Sequence, residues 1–150
     1  MTTKTFDPKT ATPFLCSQVH PGWLGLAYSD HGEDWVELEL PWRADLIGDD
    51  GQNVLATGPI LSLMDMASGI AIWQKMDEFT AIATLDLRVD YVRPAREGAN
   101  VFGRSQCYRL TRSAAFVRGV AHDGDTEDPV AHIQGVFMKI GGQPRALPNG

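Results

Sequence analysis

Residues 56–73, which read ATGPILSLMDMASGIAIW, limit what this chain can fold into more than any other segment. Apolar side chains surround nearly the whole circumference of a helix built on this stretch, and such a helix must be buried on most sides. Thr57 can cap the helix, and Pro59 suits the first helical position, where an N–H would be unpaired anyway. The pattern predicts a helix that begins near Thr57 or Gly58, ends by residues 75–78, and is surrounded by the rest of the chain.

A single carboxylate, that of Asp65, lies within this apolar stretch. No Lys or Arg lies three or four residues away to pair with it, although Ser62 and Ser68 leave open a narrow polar strip that faces solvent. An unpaired carboxylate in an apolar segment costs free energy, and functional sites are where proteins most often accept that cost. Asp65 is therefore the leading candidate for a chemically active group.

Alternating hydrophobicity predicts strands on both sides of the helix. Two strands, at about 23–30 and 34–41, precede it and are joined by the turn-forming residues DHGE. Four more strands follow the helix, at about 83–94, 101–110, 113–122 and 129–140. One long apolar helix among antiparallel strands predicts an α+β fold, in which one curved sheet wraps around the helix.

The strand ATLDLRVDYVRP, at 83–94, alternates without interruption. The alternation assigns four apolar side chains to one face of this strand: Leu85, Leu87, Val89 and Tyr91. It assigns four polar side chains to the opposite face: Thr84, Asp86, Arg88 and Asp90. Thr84 is thus predicted to lie on the polar face of the strand.

Length and composition predict one globular domain. The chain has 150 residues, of which 43% are hydrophobic and 21% charged, and its ordered core is expected at about 20–140. The ends, at 1–12 and 141–150, are polar or rich in Gly and Pro and are expected to be loose. Residues 13–19 are expected to form a short helical turn that stops at His20.

Charge and cysteine usage exclude several classes of protein. The formal net charge of −6 argues against binding to nucleic-acid phosphates, which depends on clustered Lys and Arg. The N-terminus lacks the apolar run of a signal peptide, and no stretch approaches the length of a membrane span. Two cysteines without a CxxC spacing are expected to be reduced thiols of a cytoplasmic protein, and four scattered histidines predict no metal site.

Three segments, in this order, carry a resemblance to a known family: GPILSLMDMASGIAIW, ATLDLRVDYVRPA and LTRSAAFV. From about residue 20 to 140 the sequence resembles the hotdog-fold acyl-CoA thioesterases, and it is most similar to their phenylacetate-degradation, or PaaI-like, branch. One position departs from the family pattern, because members read His-Gly-Gly where this chain reads Ala56-Thr57-Gly58. The resemblance implies a hotdog fold and hydrolysis of an acyl-CoA thioester.

The resemblance also implies roles for particular residues. Asp65 takes the place of the catalytic carboxylate, either as the nucleophile or as the general base for a water that attacks the thioester carbonyl. Backbone N–H groups of Thr57 and Gly58 take the place of the donors that polarise this carbonyl, with Thr57 the preferred donor. Thr84 matches a Ser or Thr that contacts the catalytic water or acid. Helix capping alone also explains Thr57 and Gly58, and an ordinary strand residue explains Thr84.

Four further residues are assigned through the same resemblance. In the loop before the helix, Asp50 or Asn53 falls near a family asparagine, and Asp50 is the preferred candidate. Arg93, Arg96 and Arg112 are the candidates for binding the phosphates of coenzyme A, because guanidinium groups form charge-assisted hydrogen bonds with phosphate. Solvated charges at strand ends remain the alternative interpretation of these arginines.

The family pattern implies a homodimer or a dimer of dimers with active sites between subunits, no required cofactor, and no nucleic-acid or membrane partner. A non-catalytic protein that binds acyl-CoA or another small ligand is the alternative, because the family histidine is missing before Thr57. A hydratase or dehydratase is a third interpretation. It ranks lower because that chemistry pairs a histidine with a carboxylate, and no histidine is predicted to lie in or beside the helix.

Overall fold

The computed structural model describes residues 4–49 and 51–147. Within these ranges the α-helices are Pro8–Leu15 (α1), Val19–Leu24 (α2) and Thr57–Met76 (α3), and a short 3-10 helix spans Ala44–Leu46. The strands are Ala27–His31 (β1), Trp35–Leu40 (β2), Ile82–Tyr91 (β3), Val101–Leu110 (β4), Ala114–His122 (β5) and Ala131–Lys139 (β6). Two strands, one 20-residue helix and four further strands confirm the predicted α+β hotdog fold.

The strands form one antiparallel sheet in the order β1-β2-β4-β5-β6-β3, curved around α3. Val36, Leu38 and Leu40 face the helix and have no exposed surface, which confirms the predicted alternation of β2. Ile60, Leu63 and eight further residues of α3 are buried. In the described part of the chain β3 pairs with β6 alone, so its other edge presents unpaired backbone groups.

The start of α3 differs from the prediction in its cap. Ala56 is the N-cap residue and supplies no side-chain hydrogen bond, while Thr57 is the first helical residue and Pro59 the third. Thr57 was predicted as the cap, but Ala56 has the extended backbone of a cap (φ −64°, ψ 156°). The helix therefore begins one residue earlier than a Thr57 cap would require. The backbone N–H groups of Thr57 and Gly58 are therefore left without a side-chain cap.

An irregularity in β3 changes which of its side chains face α3. Thr84 pairs with Phe137 of β6, whereas Asp86 pairs with Val136, so Leu85 is an extra residue in the strand. A bulge of this kind shifts the alternation by one residue. Thr84 shares the inward face with the buried Phe137, and Leu85 is 60% exposed. The predicted grouping of Thr84 with Asp86, and of Leu85 with the inward apolar side chains, is wrong for this reason.

The N-terminal segment belongs to the core and is not a loose end in the part that is described. Asp7 caps α1 by accepting hydrogen bonds from two backbone N–H groups of its first turn. Phe6 is 2% exposed, and its backbone N–H donates to Asp77 at the end of α3. The expectation of a loose segment at 1–12 is wrong here because Phe6 and Ala11 bury apolar surface that the polar composition does not reveal.

A second helix, α2, replaces the predicted stop at His20. Pro21 lies in the first turn of α2, where its missing N–H is tolerated, so the chain continues as helix through it. Leu24, at the end of α2, is 1% exposed and fixes this short helix to the core. The first strand consequently begins at Ala27 and not near residue 23.

The described residues contain no helix that is both long enough and apolar enough to cross a membrane. Cys16 and Cys107 are free and buried. Burial disfavours a thiolate, and it raises the pKa of Cys16 to about 11. Neither thiol is a candidate nucleophile at neutral pH.

Candidate active site

Asp65 lines a cavity of about 360 Å³ between α2, α3 and β3. The Thr84 hydroxyl donates a hydrogen bond of 2.7 Å to Asp65 Oδ1. The bulge in β3 turns Thr84 toward the helix, which explains how these two residues meet. The remaining walls are largely apolar and include Pro21, Leu26, Leu61, Met66 and Leu87. The structure therefore brings two predicted residues, Asp65 and Thr84, together where an apolar group fits beside a carboxylate.

A histidine outside the predicted site lies in the same cavity. His20 Nε2 is 2.9 Å from the Oγ of Ser62, which lies on α3 one turn before Asp65. The imidazole ring also stacks on Trp23, with ring centroids 6.3 Å apart. The prediction that no histidine lies beside the helix is therefore wrong. His20 and Ser62 are 42 residues apart, and no spacing in the sequence links them, because only the packing of α2 on α3 brings them together.

A second cavity, of about 610 Å³, opens at the N-terminal end of α3. Ala56, Thr57 and Ile60 line it on the helix side, and the chain from Tyr91 to Ala95 lines it on the strand side. The Tyr91 hydroxyl donates to the carbonyl oxygen of Thr57 over 2.8 Å. The described residues include no acceptor for the N–H groups of Thr57 and Gly58. Free N–H groups at a helix N-terminus favour a negatively charged oxygen, as in an oxyanion.

The two halves of the predicted site do not meet within one chain. Thr57 and Asp65 both lie on α3, and a rise of about 1.5 Å per residue separates them by about 12 Å along its axis. A carbonyl bond is only about 1.2 Å long, so one thioester cannot contact both groups of the same chain. Each chain carries a carboxylate half and an amide half at different places.

Arg93 is held by acidic neighbours in the structure. Its Nη1 and Nη2 donate to the two carboxylate oxygens of Asp123 over 2.9 and 2.7 Å, and its Nε donates to Asp128 over 3.2 Å. Its last two N–H groups donate to the carbonyl oxygens of Pro94 and Asp128. Because the Arg93 guanidinium donates to the Asp123 carboxylate, the pKa of Asp123 lies well below its usual range. All five donors of Arg93 are therefore engaged before any phosphate arrives.

The other two predicted arginines lie apart from each other. Arg96 donates to the carbonyl and carboxylate oxygens of Asp123 through one nitrogen, and its side chain is 66% exposed. Arg112 is exposed in the turn between β4 and β5, at the opposite end of these strands from Asp123. Within one chain Arg112 therefore forms no cluster with Arg96 or Arg93.

Of the two candidate residues in the loop before α3, the structure describes Asn53 but not Asp50. Asp50 lies outside the described residues, so its predicted role stays a prediction. Asn53 has a left-handed backbone (φ 49°), and its side-chain amide donates to Glu97 over 2.9 Å. The carbonyl of Asn53 accepts the Trp42 indole N–H over 2.8 Å. Asn53 is thus used to shape the loop in this structure.

A second cluster of titratable side chains lies on the outer face of the sheet. The Glu37 carboxylate is 6% exposed and accepts hydrogen bonds from Ser29, Arg104 and His122. Despite burial, these hydrogen bonds and the Arg104 charge lower the pKa of Glu37 to about 2. His122 Nδ1 accepts from the Gly124 N–H, so Nε2 carries the proton given to Glu37. The members satisfy one another, which is typical of a structural network.

Among the residues that the structure describes, no group of three or more His, Cys, Asp or Glu side chains is arranged to hold a metal ion. The fold and the site together define a class of protein. It is a hotdog protein whose buried central helix carries a carboxylate in an apolar cavity and free amides at its N-terminus.

Comparison with known proteins assigns the family. A family model described as "Thioesterase superfamily" matches residues 52–130, which is more than half of the chain. The chain therefore belongs to the thioesterase superfamily. The matched region contains α3 with Asp65, the whole of β3, and the strands β4 and β5.

Two curated proteins are similar in sequence to part of this chain. A putative esterase from Halobacterium salinarum is 30% identical over 98 residues, which is 61% of this chain and 65% of that protein. The medium/long-chain acyl-CoA thioesterase YigI from Salmonella typhimurium is 26% identical over 115 residues, which is 68% of this chain and 74% of that protein.

Solved structures share the fold. A Pseudomonas aeruginosa protein superimposes with a TM-score of 0.80 at 36% identity, over 89% of this chain and all of that one (100%). The PaaI protein of the Escherichia coli phenylacetic acid degradation operon has a TM-score of 0.77 at 16% identity, over 93% of this chain and 98% of that one. At 16% identity the second match concerns the fold alone.

Proposed function

We propose that this protein is an acyl-CoA thioesterase, which hydrolyses an acyl- or aryl-CoA to a free acid and coenzyme A. The observation that carries the proposal is the half-buried Asp65 carboxylate, held by the Thr84 hydroxyl in an apolar cavity that can receive an acyl group. Membership of the thioesterase superfamily and the similarity to a protein named as an acyl-CoA thioesterase support the same reaction.

The proposed reaction uses the two halves of the site for different tasks. Asp65 takes a proton from a water that attacks the thioester carbonyl, or attacks this carbon itself, in which case water later cleaves the acyl-enzyme anhydride. The N–H groups at Thr57 and Gly58 stabilise the negative oxygen of the tetrahedral intermediate. The C–S bond then breaks, and the thiolate of coenzyme A leaves and takes up a proton. The reaction as proposed requires no metal or other cofactor.

A second copy of the chain completes the proposed site. A two-fold axis beside the middle of β3, between Leu87 and Arg88, pairs the unpaired edges of two β3 strands in antiparallel fashion. The Thr84 end of one copy then lies beside the Tyr91 end of the other, which brings the Asp65 half of one copy next to the amide half of its partner. Exposed apolar side chains support the pairing: Leu85 (60%), Tyr91 (41%) and Val92 (57%) in or directly after β3, and Leu61 (41%) on α3.

Mixing two inactive variants tests this shared site. Asp65→Asn removes the carboxylate, and Gly58→Leu places a bulky side chain over the amides. After unfolding and joint refolding of equal amounts, we expect about one quarter of wild-type activity, because each mixed dimer regains one of its two sites. A mixture of Asp65→Asn with Asp65→Ala, which damage the same half, is the control and stays inactive. No recovery in the first mixture of well-folded dimers contradicts a site shared between subunits.

Gly58→Ala separates stability from function at the amide half. Apart from its chain neighbours and the nearby backbone of its own helix, no atom of the described chain lies within 4 Å of the position that a new Cβ would take at Gly58. Alanine is favoured over glycine in a helix, so the free energy of unfolding is expected to rise by up to about 1 kcal/mol. The rate of hydrolysis is expected to fall at least about tenfold, because the methyl group occupies the approach to the amides. Denaturant unfolding and thiol release measure the two effects, with Gly141→Ala, also in open space, as the control.

Coenzyme A recognition is part of the proposal. Arg96 and Arg112 keep exposed guanidinium groups that can bind phosphate, whereas Arg93 is engaged with Asp123 and Asp128. In the proposed dimer the phosphates therefore contact Arg96 and the partner subunit's Arg112. Arg93 acts as a support for the loop that carries Arg96, and not as a direct ligand.

The test of the function follows free thiol release from short-chain, medium-chain, long-chain and aryl acyl-CoAs. Turnover on at least one class supports the thioesterase. Tight binding of coenzyme A with no turnover on any of them favours the alternative of a non-catalytic binding protein, to which the Ala56-Thr57-Gly58 departure points. His20 in the Asp65 cavity gives the hydratase interpretation a structural basis, and the loss or gain of enoyl-CoA absorbance without thiol release distinguishes that reaction.

A further inference from the structure

Tyr91 contacts the amide half of the site through an interaction that none of the assigned roles uses. Its hydroxyl donates to the Thr57 carbonyl oxygen over 2.8 Å, across the mouth of the cavity at the start of α3. The contact joins the end of an edge strand to the first helical residue, 34 positions away. Burial raises the pKa of the Tyr91 hydroxyl, so it remains a protonated donor at neutral pH.

The carbonyl of Thr57 and the N–H of Gly58 belong to one planar peptide group and point in opposite directions. A group that fixes the carbonyl therefore also fixes the direction of the N–H. We propose that Tyr91 is a positioning residue that orients and polarises the Thr57–Gly58 peptide, so that the Gly58 N–H is the principal oxyanion donor of the site. This inference rests on the proposed thioesterase function and assigns the donor to Gly58 instead of the Thr57 N–H expected from the family pattern.

The surroundings of this peptide explain why it needs an outside support. Ala56 provides no side-chain cap, and Gly58 allows more backbone freedom than any other residue. Pro59 has no N–H, so the Gly58 N–H is the last free donor before the helical ladder begins. Tyr91 is the side chain that bonds to this peptide in the described chain, and β3 holds its backbone by pairing with Ala131 of β6.

Besides orienting the Thr57–Gly58 peptide, the Tyr91 hydrogen bond also polarises it. A hydrogen bond to a peptide carbonyl draws electron density toward its oxygen and makes the N–H of the same peptide a stronger donor. An oxyanion in a site shielded from water is sensitive to donor strength, because few competing donors surround it. The effect of Tyr91 should therefore appear in the chemical step more than in substrate binding.

Tyr91→Phe tests the inference in the proposed dimer. We expect kcat to fall about tenfold, the loss typical of one hydrogen bond, with KM changed by less than about twofold. Tyr108→Phe is the matched control, because Tyr108 is similarly exposed (43% against 41% for Tyr91) and its hydroxyl has no partner among the described residues. The control is expected to leave both constants unchanged. Size-exclusion chromatography verifies that both variants keep the oligomeric state of the wild type.

Two further readouts separate positioning from packing. Replacing Tyr91 with 3-fluorotyrosine makes the phenol more acidic and its hydrogen bond stronger, so kcat is expected to rise above that of the native protein below the pH at which the fluorophenol ionises. The backbone nitrogen resonance of Gly58 is expected to shift in Tyr91→Phe and to stay in place in Tyr108→Phe. A packing role predicts neither result.

The outcomes distinguish this inference from the function on which it rests. Wild-type turnover with Tyr91→Phe as active as Tyr108→Phe overturns the role of Tyr91 and leaves the thioesterase intact. An unshifted Gly58 resonance in Tyr91→Phe overturns the inference by itself, without any activity measurement. If the wild-type protein releases no thiol from any acyl-CoA, the proposed function is wrong. If the Gly58 resonance still depends on Tyr91 in that case, the contact between Tyr91 and the Thr57–Gly58 peptide is real but has no role in thioester hydrolysis.

Discussion

Asp65→Asn is expected to lower the rate of acyl-CoA hydrolysis by about 10²- to 10⁴-fold while the fold is kept. The amide has nearly the same shape as the carboxylate, and its oxygen can still accept the Thr84 hydrogen bond seen at 2.7 Å. It can neither take a proton from water nor attack a carbonyl carbon, so both proposed routes are blocked. Initial rates of thiol release at saturating acyl-CoA measure the effect, and circular dichroism verifies the fold.

The control for Asp65→Asn is Glu127→Gln, which neutralises an exposed carboxylate in the loop between β5 and β6. Its rate is expected to equal that of the wild type, because Glu127 is exposed and lines neither cavity of the candidate site. If Asp65→Asn keeps more than about a tenth of the wild-type rate, Asp65 is not the catalytic carboxylate. His20, the other titratable group in that cavity, then becomes the group to test.

Asp123→Asn is expected to lower the free energy of unfolding by about 3 kcal/mol. The Asp123 side chain is fully buried and neutralises Arg93 through two hydrogen bonds, with Arg96 as a second partner. Removing its charge leaves the Arg93 guanidinium facing a neutral amide. This expected loss of stability lies at the lower end of the range for breaking a buried ion pair, because Arg93 keeps 24% of its side-chain surface in contact with water. Chemical denaturation at neutral pH measures it.

Asp128→Asn is the matched control, since Asp128 also binds Arg93 but is 72% exposed. Solvent screens exposed pairs, so a change below about 1 kcal/mol is expected. Equal effects of the two substitutions would contradict the assignment of the buried Asp123 as the anchor of this loop.

The same carboxylate predicts a pH dependence of stability. Its pKa in the folded protein is depressed below the ordinary value of 3.8, so the unfolded chain binds its proton first as the solution is acidified. The stabilisation from Asp123 is complete well above pH 3.8 and is lost as the pH falls through 3.8 toward the folded value. The gap in unfolding free energy between wild type and Asp123→Asn should therefore close on acidification. A gap that stays constant down to low pH contradicts this linkage.

The sequence by itself was sufficient for the architecture. The apolar circumference of residues 57–76 predicted burial on most sides, and a sheet curved around the helix provides that apolar contact. The alternation in β2 and the order of the later strands then fixed the fold class, which the structure and the family match confirm. The isolated carboxylate also identified Asp65 as the residue of interest, because burial of a charge is visible in a linear pattern.

The composition of the site was decided by contacts that no linear pattern contains. The prediction placed Thr84 on the same polar face as Asp86, but a one-residue bulge at Leu85 separates the two and directs Thr84 to Asp65, because pairing with β6, and not the strand's own sequence, sets the register. His20 reached the same cavity through the packing of α2 on α3.

Charge pairing shows the same division between sequence and tertiary structure. Arg93 was assigned to phosphate binding through the family resemblance, and no spacing in the sequence indicates its acidic partners in the structure, Asp123 and Asp128, which lie 30 and 35 residues away. Periodicity determines which residues are buried and in what kind of element, because those properties repeat along the chain. Which polar side chains meet depends on register, bulges and helix packing, and these are set only when distant segments come into contact.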